Sequence, residues 1–464
     1  LAEEVADLAA SSGSSLVGFT QAGTGAVTRT AQDKMREFVS VKDFGAVGDG
    51  VTDDTLAFQA AAAYFGSGGV LASANGGVLF VPKGLYKITG QTLFQQPGVR
   101  VIGEGQEATK IIVAANLGAA AVFKFDQTRA DYSMVGVGVE NLRINMAGFT
   151  GHGVHMLKPY DGVSLRNLFV DNVADGYNGY RIEPDSGVPA DAISQTLLLE
   201  NCTAIHKNAT ATEPLFYISN LQEAVLTGCK AFGTYESNGK AACYPFEFVD
   251  CRGIMLNGCS SAFASKHGVK ITVSTRSSTG ILIANHTFET IDGAVRADGV
   301  AGIGDVIDLS VINLRAEGGV ANASGAFDLN RVIRSSIDAG SLTVNIDANS
   351  IANIVLSEDS AQVTNAGTAT TILGAASQAD TLYKIIAGGL RVSSAGTKHI
   401  ETSNTAVQLY SSSAISVQAD YPFGASEVGV LLAVNRAGTV ALSRVYIGAP
   451  DSGGTGFRML RVAN

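Results

Sequence analysis

A repeat of 26 to 34 residues is the sequence feature that most limits how this chain can fold. Each unit holds two or three short β-type runs between Gly or Asn turns, and a unit of this size cannot bury its own apolar face. Stacked units can bury it, so the repeat predicts a parallel β-helix, an all-β solenoid. The steps between successive units are 26, 34, 27, 30, 27 and 26 residues. The aligned segments are Glu140-Asn-Leu142, Arg166-Asn-Leu168, Glu200-Asn-Cys202, Thr227-Gly-Cys229, Asn257-Gly-Cys259, Ala284-Asn-His286 and Ser310-Val-Ile312.

Composition agrees with this prediction and excludes several classes of function. The 464 residues include 54 Gly, 9 Pro and no Trp, and only 16% are charged, which suits short strands joined by tight turns. The net charge is −10 and no basic run is present, which argues against nucleic acid or an anionic membrane surface as a partner. No apolar stretch approaches the roughly 18 residues of a membrane span, so we expect no membrane insertion.

The chain divides into four predicted parts. We expect short helices in the first part, and a helix over Thr55 to Phe65 capped by Asp53 or Asp54 in the second. The N-terminus has neither an initiator Met nor a signal peptide, so we expect a further domain ahead of it. The parts are a helical neck and linker at 1–38, a cap at the start of the solenoid at 39–97, the parallel β-helix at 98–364, and a β-rich trimerisation or carbohydrate-binding domain at 365–464.

Three cysteines and a histidine occupy equivalent positions of the repeat. Cys202, Cys229, Cys259 and His286 have the residue types of a zinc site. Equivalent positions stack at about 4.8 Å per coil, so the set would span about 14 Å, whereas zinc needs all its ligands around one point. We therefore expect a buried ladder with Cys as a small apolar residue, no metal site and no cofactor.

The segment ahead of the repeat resembles a known family. Val41-Lys-Asp-Phe-Gly-Ala-Val-Gly-Asp-Gly-Val-Thr-Asp-Asp-Thr55 and Gly77-Val-Leu-Phe-Val-Pro-Lys-Gly-Leu-Tyr86 are similar to the opening of pectate-lyase-like right-handed β-helices. Leu16-Val-Gly-Phe19 and the segment from Arg29 to Glu37 narrow the resemblance to tailspike proteins of tailed bacteriophages. The motifs cover roughly residues 16 to 105 and indicate architecture, because the family includes hydrolases, lyases and esterases.

The resemblance implies a homotrimer on a virion tail, outside the host cell, that binds and degrades a bacterial surface polysaccharide such as capsule or O-antigen. It also implies attachment to a tail or baseplate protein through the expected further N-terminal domain. We expect an endo-acting glycoside hydrolase. The alternatives are a polysaccharide lyase acting by β-elimination on a uronic-acid-containing glycan, and a tail fibre that binds glycan without catalysis.

One strand of each coil supplies the candidate site, because alternate residues of a strand face opposite sides. Outward charges are usually only a solvated face, but here two insertions, around 171–195 and 233–245, border the face. Its inward positions are all apolar: Val154/Met156, Tyr180/Ile182, Phe216/Ile218, Phe246/Phe248 and Val269/Ile271. Its outward positions form one column of His155, Arg181, Tyr217, Glu247 and Lys270, and a second of Leu157, Glu183, Ser219, Val249 and Thr272.

Hydrolysis requires two carboxyl groups, one to protonate the leaving oxygen and one to activate water or attack. Glu183 and Glu247 are two coils apart, about 10 Å by rise, which is the long edge of the range for inverting enzymes. Asp185 and Asp250 are the alternative partners.

Substrate binding would use the remaining side chains of the face. Arg181 and Lys270 would bind an acidic sugar. Aromatic stacking surfaces are Tyr217, Tyr177, Tyr180, Tyr235 and Tyr244. In the lyase alternative, His155, Arg181, Tyr217 and Lys270 would abstract the proton and neutralise the uronate carboxylate.

Overall fold

The computed structural model describes residues 2–66, 76–126, 134–184, 194–234, 239–317, 326–357, 362–374, 382–386, 389–393, 446–450 and 457–461. Contacts divide the chain into two units, Leu1–Lys398 and His399–Asn464. In the second unit, Tyr446–Pro450 pairs antiparallel with Phe457–Arg461. The first unit contains the solenoid, and within it Leu382–Ile386 and Gly389–Ser393 form an antiparallel hairpin.

Each coil of the solenoid passes through three parallel sheets, named A, B and C in chain order. Sheet A contains Val39–Ser40, Gly77–Val81, Val99–Gly103, the starts of Gly138–Asn145 and Val163–Val173, Ser194–Glu200, Leu221–Thr227, Arg252–Asn257, Ser278–Ala284, Val306–Ile312, Val332–Ile333, Ser336–Gly340, Ile354–Ser357 and Thr371–Gly374. Sheet B contains Asp49–Asp53, Gly84–Ile88, Thr109–Val113, the ends of Gly138–Asn145 and Val163–Val173, Thr203–His206, Lys230–Phe232, the starts of Ser260–Thr272 and Thr287–Asp298, and Arg315–Glu317. Sheet C contains Thr92–Phe94, Ala121–Phe125, His152–Leu157, Tyr180–Glu183, Phe216–Ser219, Phe246–Val249, the ends of Ser260–Thr272 and Thr287–Asp298, Phe327–Asn330, Val344–Ile346 and Val363–Asn365.

The turn from sheet A to sheet B is set by a ladder of Asn and Gly residues in the left-handed region. Asn141, Asn167 and Asn201 have φ of 58°, 50° and 52°, a conformation that Asn and Gly tolerate best. The amide of Asn167 donates to Asn141 at 2.9 Å, and the amide of Asn201 donates to Asn167 at 3.3 Å. Gly228 and Gly258 continue the ladder with φ of 63° each. These side-chain bonds tie each turn to the turn of the preceding coil.

The interior is a stack of equivalent apolar residues, as the inward positions predicted. The rings of Tyr180, Phe216 and Phe246 are fully buried and follow one another with centroids 4.6 Å apart. Cys202, Cys229 and Cys259 are buried free thiols. The predicted core ladder of cysteines is therefore confirmed.

A short helix packs over the first coils. Thr55–Tyr64 is helical, and Phe58 contacts Tyr86 and Phe123 at ring-centroid distances of 5.5 and 6.2 Å. The N-cap of this helix differs in detail from the prediction. Asp54 is the N-cap residue, but its buried carboxylate accepts from the amides of Val47 and Gly48, while Asp53 accepts from the Thr55 amide. Helices Ala2–Ala9 and Ala31–Met35 lie ahead of it, with one-turn 3₁₀ helices at Gly13–Ser15 and Val41–Phe44.

Three expectations about the extent and register of the elements differ from the structure. The predicted linker contains an antiparallel pair, Gly18–Thr20 with Thr28–Thr30. Parallel pairing begins at Val39, ahead of the position where we placed the first coil. The last repeat step is wrong by two residues, because Ala284 pairs with Ile312 rather than with Ser310. The sequence Leu309-Ser-Val-Ile312 alternates in the same way in either register, so periodicity alone could not separate the two.

Candidate functional site

The outward column of sheet C is continuous in the structure. Strand register places His155, Arg181, Tyr217, Glu247 and Lys270 on successive coils, as predicted. The second column pairs Leu157 with Glu183, and Ser219 with Val249 and then Thr272. Because strands of one sheet are about 4.8 Å apart, these side chains line a continuous path along the solenoid.

Glu183 is held on this face by two side chains, His155 and Arg181. Its Oε1 lies 2.9 Å from Nε2 of His155 and accepts from Nε of Arg181 at 2.8 Å. Its Oε2 accepts from a terminal nitrogen of Arg181 at 2.7 Å. The Arg181 guanidinium also lies 4.9 Å from the centroid of the Tyr217 ring and donates to the side-chain oxygen of Asn178 at 3.2 Å. Both oxygens of Glu183 are therefore held in place before any ligand binds.

These contacts fix the protonation of the group. Burial raises the pKa of Glu183, but the hydrogen bonds from His155 and Arg181 outweigh it and lower the pKa to about 2. Burial, together with the Arg181 charge, lowers the pKa of His152 to about 3. The neutral His152 accepts the Asn178 amide through Nδ1 at 3.0 Å. At neutral pH this end of the face thus presents an ionised carboxylate and a neutral imidazole.

Glu247 lies two coils further on and is held by a lysine. Lys270 donates to its Oε1 at 2.6 Å, and the side chain of Glu247 is 13% exposed. The Lys270 ammonium also lies 4.9 Å from the centroid of the Tyr244 ring. Glu183 and Glu247 therefore lie on the same outward face of sheet C, paired with Arg181 on the same strand and with Lys270 on the next coil respectively.

Asp250 does not lie on the outward face of sheet C. It is 1% exposed, adopts a φ of 55°, and its carboxylate accepts the amides of Ser274 and Thr275 at 2.7 and 3.0 Å. The Thr275 hydroxyl donates to the same group at 2.8 Å. The side chain of Asp250 thus stabilises the turn that follows Thr272 in the next coil. This position corrects its selection as an alternative catalytic carboxylate.

The other predicted residues fall in three groups. Tyr177 is half-buried, with its ring 5.3 Å from that of His152. Tyr180 is fully buried in the core ladder and offers no stacking surface, which corrects that expectation. Asp185 and Tyr235 lie outside the described residues.

The structure adds side chains that the sequence reasoning missed. The first column begins one coil earlier, at Lys124, and continues after Lys270 through Arg296, Asp328 and Asn345. Asp298 extends the second column. The signal was the repeat itself, because continuing the alternation of sheet C past Lys270 leads to these residues. Within the described ranges, no group of three or more His, Cys, Asp or Glu side chains is arranged to hold a metal ion, and no described helix is long and apolar enough to cross a membrane.

Comparison with known proteins agrees with this architecture. Residues 38–187 match the family described as Rhamnogalacturonase A/epimerase, pectate lyase-like. A tail spike protein of Shigella phage Sf6 is 37% identical over 97 residues, which are 20% of this chain and 15% of that protein. A glucan 1,3-beta-glucosidase of Cochliobolus carbonum is 40% identical over 86 residues, 18% of this chain and 9% of that protein. The matches thus span only a small part of each curated relative.

A solved tailspike of E. coli bacteriophage HK620 superimposes with a TM-score of 0.56. The alignment covers 82% of this chain and 74% of the tailspike, at 14% sequence identity, so it bears on the fold alone. The three parallel sheets, the matched family and this superposition all indicate a parallel β-helix. The chain is a right-handed parallel β-helix, and its residues 38–187 are similar to a pectate lyase-like family.

Proposed function

We propose that this chain is a phage tailspike that binds a bacterial surface polysaccharide along the sheet C face and cleaves internal glycosidic bonds of that polysaccharide. The observation that carries the proposal is the unbroken column of ionic and aromatic side chains on sheet C, with Glu183 and Glu247 on the same face. The tail spike names of the relatives support the site of action, a virion tail at the host surface.

The first candidate chemistry is hydrolysis. Glu183 is ionised and oriented, so it suits the role of the base that activates water rather than that of the acid. Glu247 would then protonate the leaving oxygen, which requires that the Lys270 ammonium leave its carboxylate. An anionic group on the glycan would draw Lys270 away and allow Glu247 to take up a proton. The separation of two coils, about 10 Å by rise, favours inversion.

A second candidate is β-elimination, which one observation favours. Tyr217 lies between Arg181 and Glu247 in the column, and burial raises the pKa of its phenol. Elimination breaks a C–H bond beside the uronate carboxylate and the bond to the leaving oxygen. His155 would accept the carbon-bound proton, the neutral Tyr217 phenol would give its proton to the leaving oxygen, and Arg181 would neutralise the charge that develops on the carboxylate.

The experiment is incubation with a panel of purified capsular and O-antigen polysaccharides, acidic and neutral. New reducing ends without the ultraviolet absorbance of an unsaturated uronate indicate hydrolysis, and reducing ends with that absorbance indicate elimination. Glu183→Gln and Glu247→Gln should each lower the hydrolytic rate by at least about a hundredfold. Asp308→Asn is the matched control, because that carboxylate also has a cationic partner, Arg334, but lies exposed on sheet A.

Failure on every polysaccharide would reject the catalytic proposal. A glycan-binding assay with the same panel then identifies a binding fibre if a polymer is retained, and rejects the proposed function altogether if none is.

For assembly we propose a homotrimer, as the resemblance to tailspikes implies. An outward stripe of sheet A supports an apolar interface with other copies of the chain. Val225 and Met255 pair in register and are each 39% exposed. Leu198 precedes them and Leu282 follows them in the same column. Four consecutive apolar outward residues are unusual on a solvated sheet.

A further inference from the structure

Downstream of Glu247, sheet C carries a second group of ionisable side chains around one aromatic ring. We call it the Tyr244 cluster, and it contains Tyr244, Lys266, His267, Lys270, Arg296 and Asp328. Sequence reasoning selected only Tyr244 and Lys270 from this group. Lys270 is three coils beyond Arg181, about 14 Å by rise, so the cluster is distinct from the contacts of Glu183.

The Tyr244 ring is the centre of this group. The ammonium groups of Lys266 and Lys270 each lie 4.9 Å from its centroid. The His267 imidazole is stacked with it at 6.4 Å, with an interplanar angle of 22°. Ammonium groups at this distance are held by the ring quadrupole. The half-buried Tyr244 therefore concentrates positive charge beside an apolar surface.

The position of His267 is built into the backbone. Register shifts between Ala264 and His267, which turns this segment as the chain passes from sheet B to sheet C. His267 pairs with Gly293, where an added Cβ would lie only 2.4 Å from Cδ2 of the imidazole. Any larger residue at 293 would thus displace the ring that stacks on Tyr244.

Among the described residues, the carboxylates next to the cluster already have partners. Glu247 binds Lys270 at 2.6 Å, and Asp298 binds Arg296 at 2.6 Å. Asp328 lies 3.3 Å from Nε2 of His267, and its other oxygen accepts from Asn345 at 3.1 Å. Burial raises the pKa of Asp328, but the contacts with His267 and Asn345 outweigh it and lower the pKa, so this group is ionised.

Lys266 differs from Lys270 and Arg296, which each bind a carboxylate. Among the described residues it has no carboxylate partner, and the Tyr244 ring is its contact. A half-buried ammonium beside an aromatic ring, with its neighbouring carboxylates engaged elsewhere, can bind an anion without displacing an existing ion pair.

We propose that the Tyr244 cluster binds a carboxylated sugar residue, with Lys266 pairing with the carboxylate and the Tyr244 ring packing against the sugar. The inference rests on the proposed function and deepens it, because it assigns the substrate to the acidic polysaccharides. The glycan would run from Glu183 along sheet C, and its acidic residue would lie beyond Glu247.

The test uses the same panel of polysaccharides, measured as binding to the full chain. Each retained acidic polymer is compared with its carboxyl-reduced derivative, in which uronic acids become neutral sugars. We expect carboxyl reduction to weaken binding by about tenfold or more. Lys266→Gln should weaken binding of the native polymer by a similar factor and leave binding of the reduced polymer within about twofold.

Two further variants separate charge from packing. Tyr244→Ala should weaken binding of both forms, whereas Tyr244→Phe should retain it because the ring remains. Lys230→Gln, which removes an exposed lysine of sheet B, is the matched control and should change neither.

Equal binding of the native and reduced polymers overturns this inference, as does retention of neutral polymers alone. Both results leave the proposed binding of a surface polysaccharide intact, although a neutral substrate would lack the anionic group that both candidate chemistries use. Retention of no polymer rejects the proposed function, and this inference with it.

Discussion

Nε2 of His155 and Oε1 of Glu183 lie 2.9 Å apart, although 28 residues and a full coil of the solenoid separate them in the chain. Parallel stacking brings them together, because His155 pairs with Arg181 and Leu157 pairs with Glu183. The contact leaves Glu183 held by both His155 and Arg181, and these contacts determine its chemistry. It can accept a proton or orient water, but it does not hold a proton at neutral pH.

The first prediction concerns acid stability. The folded pKa of Glu183, about 2, is below its ordinary value of 4.5, so its contribution to stability is complete above pH 4.5 and is lost as the pH falls towards 2. Wild type should therefore lose about 1 to 2 kcal/mol more than Glu183→Gln over this range. Denaturant unfolding at a series of pH values measures the difference. If the free energy of unfolding falls with pH in parallel for the two proteins, the ion pair contributes nothing. Asp308→Asn provides the baseline for an exposed ion pair.

The second prediction separates the two chemistries through Tyr217. If the reaction is hydrolysis, Tyr217→Phe should keep the rate within about threefold, because the ring still packs against the Arg181 guanidinium. If the reaction is elimination with the phenol as acid, the same change should lower the rate by about a hundredfold or more. The rate is measured on whichever polysaccharide is cleaved. A large loss in Tyr217→Phe together with a product that lacks the unsaturated-uronate absorbance would contradict both assignments.

The third prediction concerns the cysteines. All five thiols are buried and free, and burial raises the pKa of Cys251 to about 12. A thiol-specific reagent at mildly alkaline pH should therefore modify none of them in the folded protein and all five after denaturation. Ser274→Cys, at an exposed turn position, should add one thiol that reacts at once. Fast labelling of the native wild type would mean that the coil stack opens locally.

The fourth prediction concerns assembly. Met255→Glu places a charge in the apolar stripe of sheet A and should convert a trimer to monomers at micromolar concentration, because the charge would be buried without a partner. Light scattering at several concentrations gives the mass. Met255→Leu is the control and should remain assembled. A Met255→Glu protein that is still trimeric would place the interface elsewhere on the chain.

Much of the fold could be predicted because every coil repeats the same period and the same alternation of apolar and polar residues. The inward residues of sheet C and the outward pairing of Tyr217 with Glu247 follow from this pattern. The partners of individual side chains do not follow from it. Nothing in the alternation of the sequence shows that Arg181 turns back to Glu183 on its own strand, or that Asp250 turns inward to bind the amides of the next turn. The bulge before His267 breaks the period, and for that reason Lys266 and His267 escaped sequence analysis.

The asparagine turn has a consequence for how such chains diversify. Since the amides of Asn141, Asn167 and Asn201 hydrogen-bond from coil to coil, the A-to-B corner tolerates neither insertion nor deletion without breaking a neighbour's bond. Length variation is therefore confined to the other corners. The two longest repeat steps, of 34 and 30 residues, have their extra residues next to sheet C. Segments next to sheet C can change in length while the scaffold keeps its register, and under the proposed function such changes would alter glycan recognition one loop at a time.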